Sequence, residues 1–148
     1  MSARQDLKVI DADEMKDPWS ANDQMTKIVK VMAGKAHDPK LKQTLKKSTV
    51  AIIRYAIILK SLLCSAGETP EKEHCKGMEE LVKEATKHVT QEALMPGGLM
   101  DIVILAQYQR MSHYGLAGFG TPAAYSKALG LKDHASKLAS IVADILGR

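Results

Sequence analysis

The chain has 148 residues and a mass of 16.1 kDa, enough for one domain whose core needs no disulfide or metal staple. Hydrophobic residues at 45% and charged residues at 26% exclude a disordered chain, and aromatic residues at 4% exclude the base-stacking platforms of many single-strand binders. The net charge of +4 is mild, and the two cysteines, Cys64 and Cys75, fit no CxxC or zinc spacing.

The N-terminus is polar and acid-containing, without the apolar region of a signal peptide, and residues 1–16 read as an arm without a fixed fold. Asp17-Pro18 places a capping acid before a proline, a helix-start signal. Met25, Ile28, Val29 and Met32 then share one face up to Gly34. Asp38-Pro39 repeats the signal, and Leu41, Leu45, Thr49, Ile52, Ala56, Leu59 and Leu63 follow at helical spacing. This second helix also carries Val50, Ile53 and Ile57, an apolar arc wide enough to predict burial on several sides. Its longest apolar run, Val50 to Leu63, contains Arg54 and Lys60 and falls short of the roughly 20 residues of a membrane span.

Thr69-Pro70-Glu71 opens a third helix with Met78, Leu81, Val82, Ala85 and Val89 on one face, and Pro96-Gly97-Gly98 ends that region. A fourth, long helix runs from Leu99 to about Leu129. Its expected core stripe is Ile102, Leu105, Gln109, Leu116 and Ala123, with a bend near Thr121-Pro122. After Gly130 a final helix carries Leu138, Ile141, Val142 and Ile145. No segment alternates with period two, so the reading is an all-α, antiparallel helical bundle.

In such a bundle, metal chemistry needs carboxylates and histidines pointing inward, with Glu and His three residues apart on one face. Glu71-x-x-His74 has that spacing but reads as a solvated helix start. Glu79, Glu80, Glu84 and His88, joined by His113, form the alternative set for an iron or manganese site; the simpler reading is a solvated charged face. Tyr108, Gln109, His113 and Tyr114 are expected to form a polar network in the core. Lys40, Lys42, Lys46 and Lys47 make a basic patch, read as the solvated side of the helix carrying Leu41 and Leu45, so nucleic-acid binding is not expected. Cysteines without partners and the lack of a signal region point to a reduced, cytoplasmic protein with no membrane association.

Three stretches carry a resemblance. Asp17-Pro18-Trp19-Ser20-Ala21-Asn22-Asp23-Gln24-Met25-Thr26 resembles the first helix of the YciE/YciF-type bacterial ferritin-like proteins. Cys75-Lys76-Gly77-Met78-Glu79-Glu80-Leu81-Val82-Lys83-Glu84-Ala85 is similar to their third. Gln109 to Thr121, with His113-Tyr114 at its centre, is similar to their Gln-Lys-x-Glu-His-Tyr-Glu-x-Ala-x-Tyr-Gly-Thr stretch. Order and spacing agree from about residue 17 to the end.

The resemblance implies a ferritin-like antiparallel four-helix bundle with an extra connecting helix over residues 17–148, pairing into dimers and linked to stress responses. Many relatives carry inward carboxylates and a His suited to two metal ions. Carried over by position, those ligands fall on Asn22, on Val50 and Ile53, and on Ser112 and Gly115, leaving only His113 and Tyr114 of the last motif. The family's last helix also continues into an acidic segment where this sequence ends at Arg148, so dimerisation is expected to cover the apolar surface left there. Hard metal ions need oxygen ligands that Val50 and Ile53 lack. The expectation is therefore a metal-free, cofactor-free, non-catalytic module, structural or binding a protein partner, and homodimeric.

Overall fold

The computed structural model describes residues 3–69, 73–91 and 96–147. Its helices are α1 (Ala3–Lys35), α2 (Pro39–Ser65), α3 (Lys76–Thr86) continued by a π-helical turn (Lys87–Gln91), α4 (Gly97–Ala128) and α5 (Lys132–Leu146). No strand occurs among the described residues. The four helices α1, α2, α4 and α5 form the antiparallel bundle. α1 packs on α2 and α4, and α4 on α5, while α2 and α5 barely touch; α3 is the connecting helix, laid against α1 and α4.

Local chemistry sets several of these boundaries. Asp38 caps α2 by accepting the Leu41 N–H at 2.9 Å, with Pro39 in the first helical position. Gly130 closes α4 in the left-handed region at φ 77°, where the Leu131 N–H returns to the Ser126 carbonyl at 2.9 Å.

Two starts differ from the sequence reading. Residues 3–16, expected as an arm, are the first four turns of α1, and Asp17-Pro18 lies mid-helix. Ala12, Met15 and Trp19 are buried in the core, and that packing outweighs the one backbone hydrogen bond a proline removes. Pro18 itself sits against Gly118 of α4, where an added Cβ would lie 3.3 Å from the proline ring. α3 begins at Lys76 rather than at Thr69-Pro70-Glu71, of which Pro70 and Glu71 lie outside the described residues. Its cap is the Cys75 thiol, which accepts the Met78 N–H at 3.3 Å.

Two cores stack along the bundle. One gathers Met25, Ile28, Val29 and Met32 of α1 with Leu45 and Ile52 of α2, Met78 and Ala85 of α3, and Ile104 and Met111 of α4. The other joins Met15 and Trp19 to Tyr55, Leu59, Leu62 and Leu63, to Phe119, and to Leu138 and Ile141 of α5. Burial of such side chains contributes roughly 1.5–3 kcal/mol each.

The apolar arc of α2 is not buried on several sides. Val50, Ile53 and Ile57 stay 67%, 43% and 63% exposed, because only the inner side of α2 meets other helices. By length and composition alone α2 is long and apolar enough to cross a membrane, although half of that stretch is buried in the bundle. On α4 the inward residues are Ile104, Tyr108, Met111, Gly115, Phe119, Pro122 and Ser126, not the expected stripe. Leu116 and Ala123 are half-buried, Gln109 is exposed, and Ile102 and Leu105 remain 63% and 43% exposed. Apart from Asp101, the first turns of α4 are apolar on most sides, so spacing alone does not choose a face.

A polar group missed in the sequence pins the bundle's far end. Asp11 is buried; it accepts the Ser126 hydroxyl at 3.2 Å, and His134, whose Nδ1 meets no hydrogen-bond partner among the described residues, is near enough to act on it electrostatically. Burial pushes the Asp11 carboxyl above its usual value, more than Ser126 and His134 lower it. A raised carboxyl favours the folded state below the unfolded pKa of 3.8, and that advantage is lost as pH rises through the folded value. Asp11→Asn is therefore expected to raise the melting temperature at pH 7, with the gain vanishing as pH falls toward 3.8 in a series of thermal melts.

Candidate functional site at the bundle centre

The four bundle helices converge between the two cores on a cavity of about 20 Å³, lined by Asn22, Ser48, Ile52, Tyr55, Tyr108, Met111, Ser112, Gly115 and Ile145 among others. That is roughly the room one water molecule needs. Asn22 donates through Nδ2 to the Ile52 carbonyl at 3.2 Å, and the Ser48 and Tyr108 hydroxyls lie 2.6 Å apart. Tyr55 donates to Asp144 of α5, which Arg54 also reaches at 3.4 Å. The polar atoms of the centre are hydroxyls and an amide, and no carboxylate faces the cavity from its lining residues.

Of the positions carried over by resemblance, Asn22, Ser112 and Gly115 line this cavity. Val50 and Ile53 do not; they lie on the outer side of α2, and Ser48, Ile52 and Tyr55 take the inward places. A misalignment of two residues rotates a helix position by roughly 200°, from inside to outside. Ile52 and Tyr55 replace Val50 and Ile53 as the inward pair spaced by three. Neither is a carboxylate, the ligand type that hard metal ions prefer.

The expected polar network divides in two. Tyr108 is buried at the centre, while Gln109 and His113 share the outer face, where His113 Nδ1 lies 2.8 Å from the Gln109 carbonyl. Tyr114 turns toward α1 and α3. Its hydroxyl donates to Asp17 at 3.0 Å and lies 2.9 Å from the Cys75 sulfur, and its ring covers Gly77 so closely that a Cβ there would come within 2.9 Å.

Cys75 is bound on every side: its N–H donates to Ser20 at 3.0 Å and its carbonyl accepts Gln24 at 3.0 Å. Burial pushes its thiol above the ordinary value, and burial with the neighbouring thiol and carboxylate pushes the Tyr114 phenol above its own. Both stay protonated at neutral pH, which suits a structural junction of three helices. Gly77→Ala should lower the melting temperature by displacing the Tyr114 ring, and Tyr114→Phe should not relieve it, since the ring remains.

The acidic set on α3 stays at the surface. Glu79 meets His74 and Lys83, Glu80 meets Lys83 at 2.8 Å, and Glu84 meets His88 at 3.4 Å, with His113 elsewhere on α4. Hydrogen bonds from His74 and Lys83 hold the Glu79 carboxyl down at about 2. Among the described residues no group of three or more His, Cys, Asp or Glu is placed to hold a metal ion. Glu71, the other half of the Glu71-x-x-His74 pair, lies outside the described residues. Lys40, Lys46 and Lys47 are exposed and Lys42 half-buried, around the partly buried Leu41 and buried Leu45. A wider open groove of about 700 Å³ runs between α1 and α3, past Ile28, Val82 and Thr90.

Among solved structures the chain is similar to YcfI from Rhodopseudomonas palustris, described as a candidate structural protein, at 24% identity and a TM-score of 0.86. It is also similar to the E. coli stress protein YciF, at 22% identity and a TM-score of 0.87. Each alignment covers 99% of this chain and 90% of the other. At these identities the likeness shows the shared fold. No curated protein matches the sequence. The family profile described as a domain of unknown function, DUF892, matches residues 9–144, and with nearly the whole bundle inside that match the chain belongs to the DUF892 family.

Proposed function

We propose that the protein is a non-catalytic, metal-free helical bundle that serves as a structural and protein-interaction module, associated with stress and working in the reducing cytoplasm. The observation that carries this reading is the bundle centre. Asn22, Ile52, Tyr55, Ser112, Gly115 and Ile145 fill the positions where inward ligands would have to stand. The descriptions of YcfI as structural and of YciF as a stress protein support it.

Self-association belongs to this reading, through the first turns of α4. Residues 97–109 carry one charged side chain, Asp101, which is buried and accepts the backbone N–H groups of His37 and Asp38 at 2.6 and 2.9 Å. The remaining surface there offers Leu99, Ile102 and Leu105, at 54%, 63% and 43% exposure. Apolar and depleted of charge, this face can meet its own copy without repulsion.

Elemental analysis of protein from metal-replete cells, with molar mass measured on the same sample, tests both parts. The expected result is well under one metal ion per chain, a mass about twice 16.1 kDa, and a melting temperature indifferent to chelator. Two metal ions per chain would overturn the metal-free reading. Ile102→Glu with Leu105→Glu is expected to give a folded monomer; a variant that stays dimeric would remove this face from the interface.

A further inference from the structure

We propose that the outer groove between α1 and α2 is a docking site for an acidic amphipathic helix of a partner protein; this rests on reading the bundle as an interaction module and names the partner's chemistry. The groove holds about 380 Å³. Its floor is apolar, formed by Trp19, Ile53 and Ile57, and its rim carries three lysines, Lys27, Lys30 and Lys60, against one acid, Asp23. Ile53 and Ile57 are 43% and 63% exposed, an unusual display for β-branched residues with no helix over them.

Charge selects the occupant. Among the described residues no ion pair engages Lys27, Lys30 or Lys60. The charged residues lining the groove therefore sum to a net positive charge, three lysines against Asp23. A second copy seated here about a two-fold axis would set lysine rim against lysine rim, which disfavours it. A nucleic-acid backbone would use the lysines but not the isoleucine floor, and no exposed aromatic ring borders the groove to stack a base. A helix with leucine-type residues on one face and acids along its flanks uses both features, in the helix-in-groove mode.

The test takes the full chain and a fluorescein-labelled designed peptide of about 18 residues, near 27 Å as a helix. It bears leucines on one face and glutamates on both flanks, and a control peptide has lysines in place of the glutamates. Fluorescence anisotropy is expected to show micromolar binding of the glutamate peptide, weakening with salt, and none of the control. Lys27→Glu with Lys30→Glu, and separately Ile53→Ser with Ile57→Ser, should each weaken binding by about tenfold or more. All four side chains are at the surface, and circular dichroism checks that the variants fold. Ile102→Glu with Leu105→Glu should leave peptide binding unchanged.

Absence of binding, or binding indifferent to either groove pair, overturns the proposal. Dependence on the lysines alone would mark a plain polyanion patch and also overturn it. Loss of the dimer in the groove variants would show a second copy to be the occupant. Metal content and mass of the wild type are read independently, so failure of the docking site is distinguishable from failure of the proposed function.

Discussion

Phe119→Ala is expected to destabilise the protein by about 3–5 kcal/mol, the cost of removing a fully buried aromatic side chain without collapse of the space behind it. Phe119 is the residue of α4 around which the second core assembles. Its ring meets Tyr55 of α2 edge to face, with centroids 5.8 Å apart, and Met15, Trp19, Leu138 and Ile141 share the cluster. Three other helices therefore lose contact at once. Chemical denaturation monitored by circular dichroism should show the midpoint falling sharply with little change in slope. A loss below 1.5 kcal/mol would mean that the neighbours close over the gap and that this core is less tightly specified than its burial indicates.

Asp101→Ala should cost about 2–4 kcal/mol by a different route. The carboxylate of α4 accepts two backbone N–H groups from the link between α1 and α2, His37 at 2.6 Å and Asp38 at 2.9 Å. Each donor left without a partner carries a penalty of roughly 1–3 kcal/mol where water does not replace the acceptor. Since His37 and Asp38 are exposed, water recovers part of it, which sets the estimate below the sum. Asp101→Asn should retain about half, because an amide offers one acceptor oxygen and turns a donor toward the other N–H. Hydrogen exchange at the two amides separates the effects: both should exchange fast in the alanine variant and one in the asparagine variant. Unchanged exchange would show that the link is held by other contacts.

Much of the fold was legible because the inner faces of α2 and α5 carry apolar residues at helical spacing. Leu45, Thr49, Ile52, Ala56, Leu59 and Leu63 are all buried at the spacing that the sequence displays, and Leu138 and Ile141 are likewise inside. The Asp38-Pro39 start was readable because the cap is local, a carboxylate and an N–H three residues apart. Asp17-Pro18 carries the same pair of residues and means something else. Its role depends on Gly118, a hundred residues later, and on core contacts of Ala12 and Met15 that no local pattern announces.

At the centre, Asn22, Ser112 and Gly115 line the cavity, while Val50 and Ile53, carried over by resemblance, lie outside. Because α2 is apolar on both its inner and outer sides, hydrophobicity does not reveal a misalignment of two residues. His113 failed for a related reason: positions 108, 109, 113 and 114 point to different sides of one helix, so nearness in sequence did not make a network. The groups that tie helices together, Asp11 with Ser126, Asp101 with His37, and Cys75 with Tyr114, join residues 115, 64 and 39 positions apart. Such pairs have no sequence signature.

The hydroxyls and amide between the two cores also act as an index mark. Aliphatic layers tolerate a helix sliding by one turn, since one leucine replaces another at small cost. A slide of α2 would strand the Ser48 and Tyr108 hydroxyls, 2.6 Å apart, and pull the Ile52 carbonyl from Asn22. Unpaired in a buried site, those atoms would penalise every shifted alignment. The centre thereby selects one vertical setting of the helices, so its polar residues fix alignment.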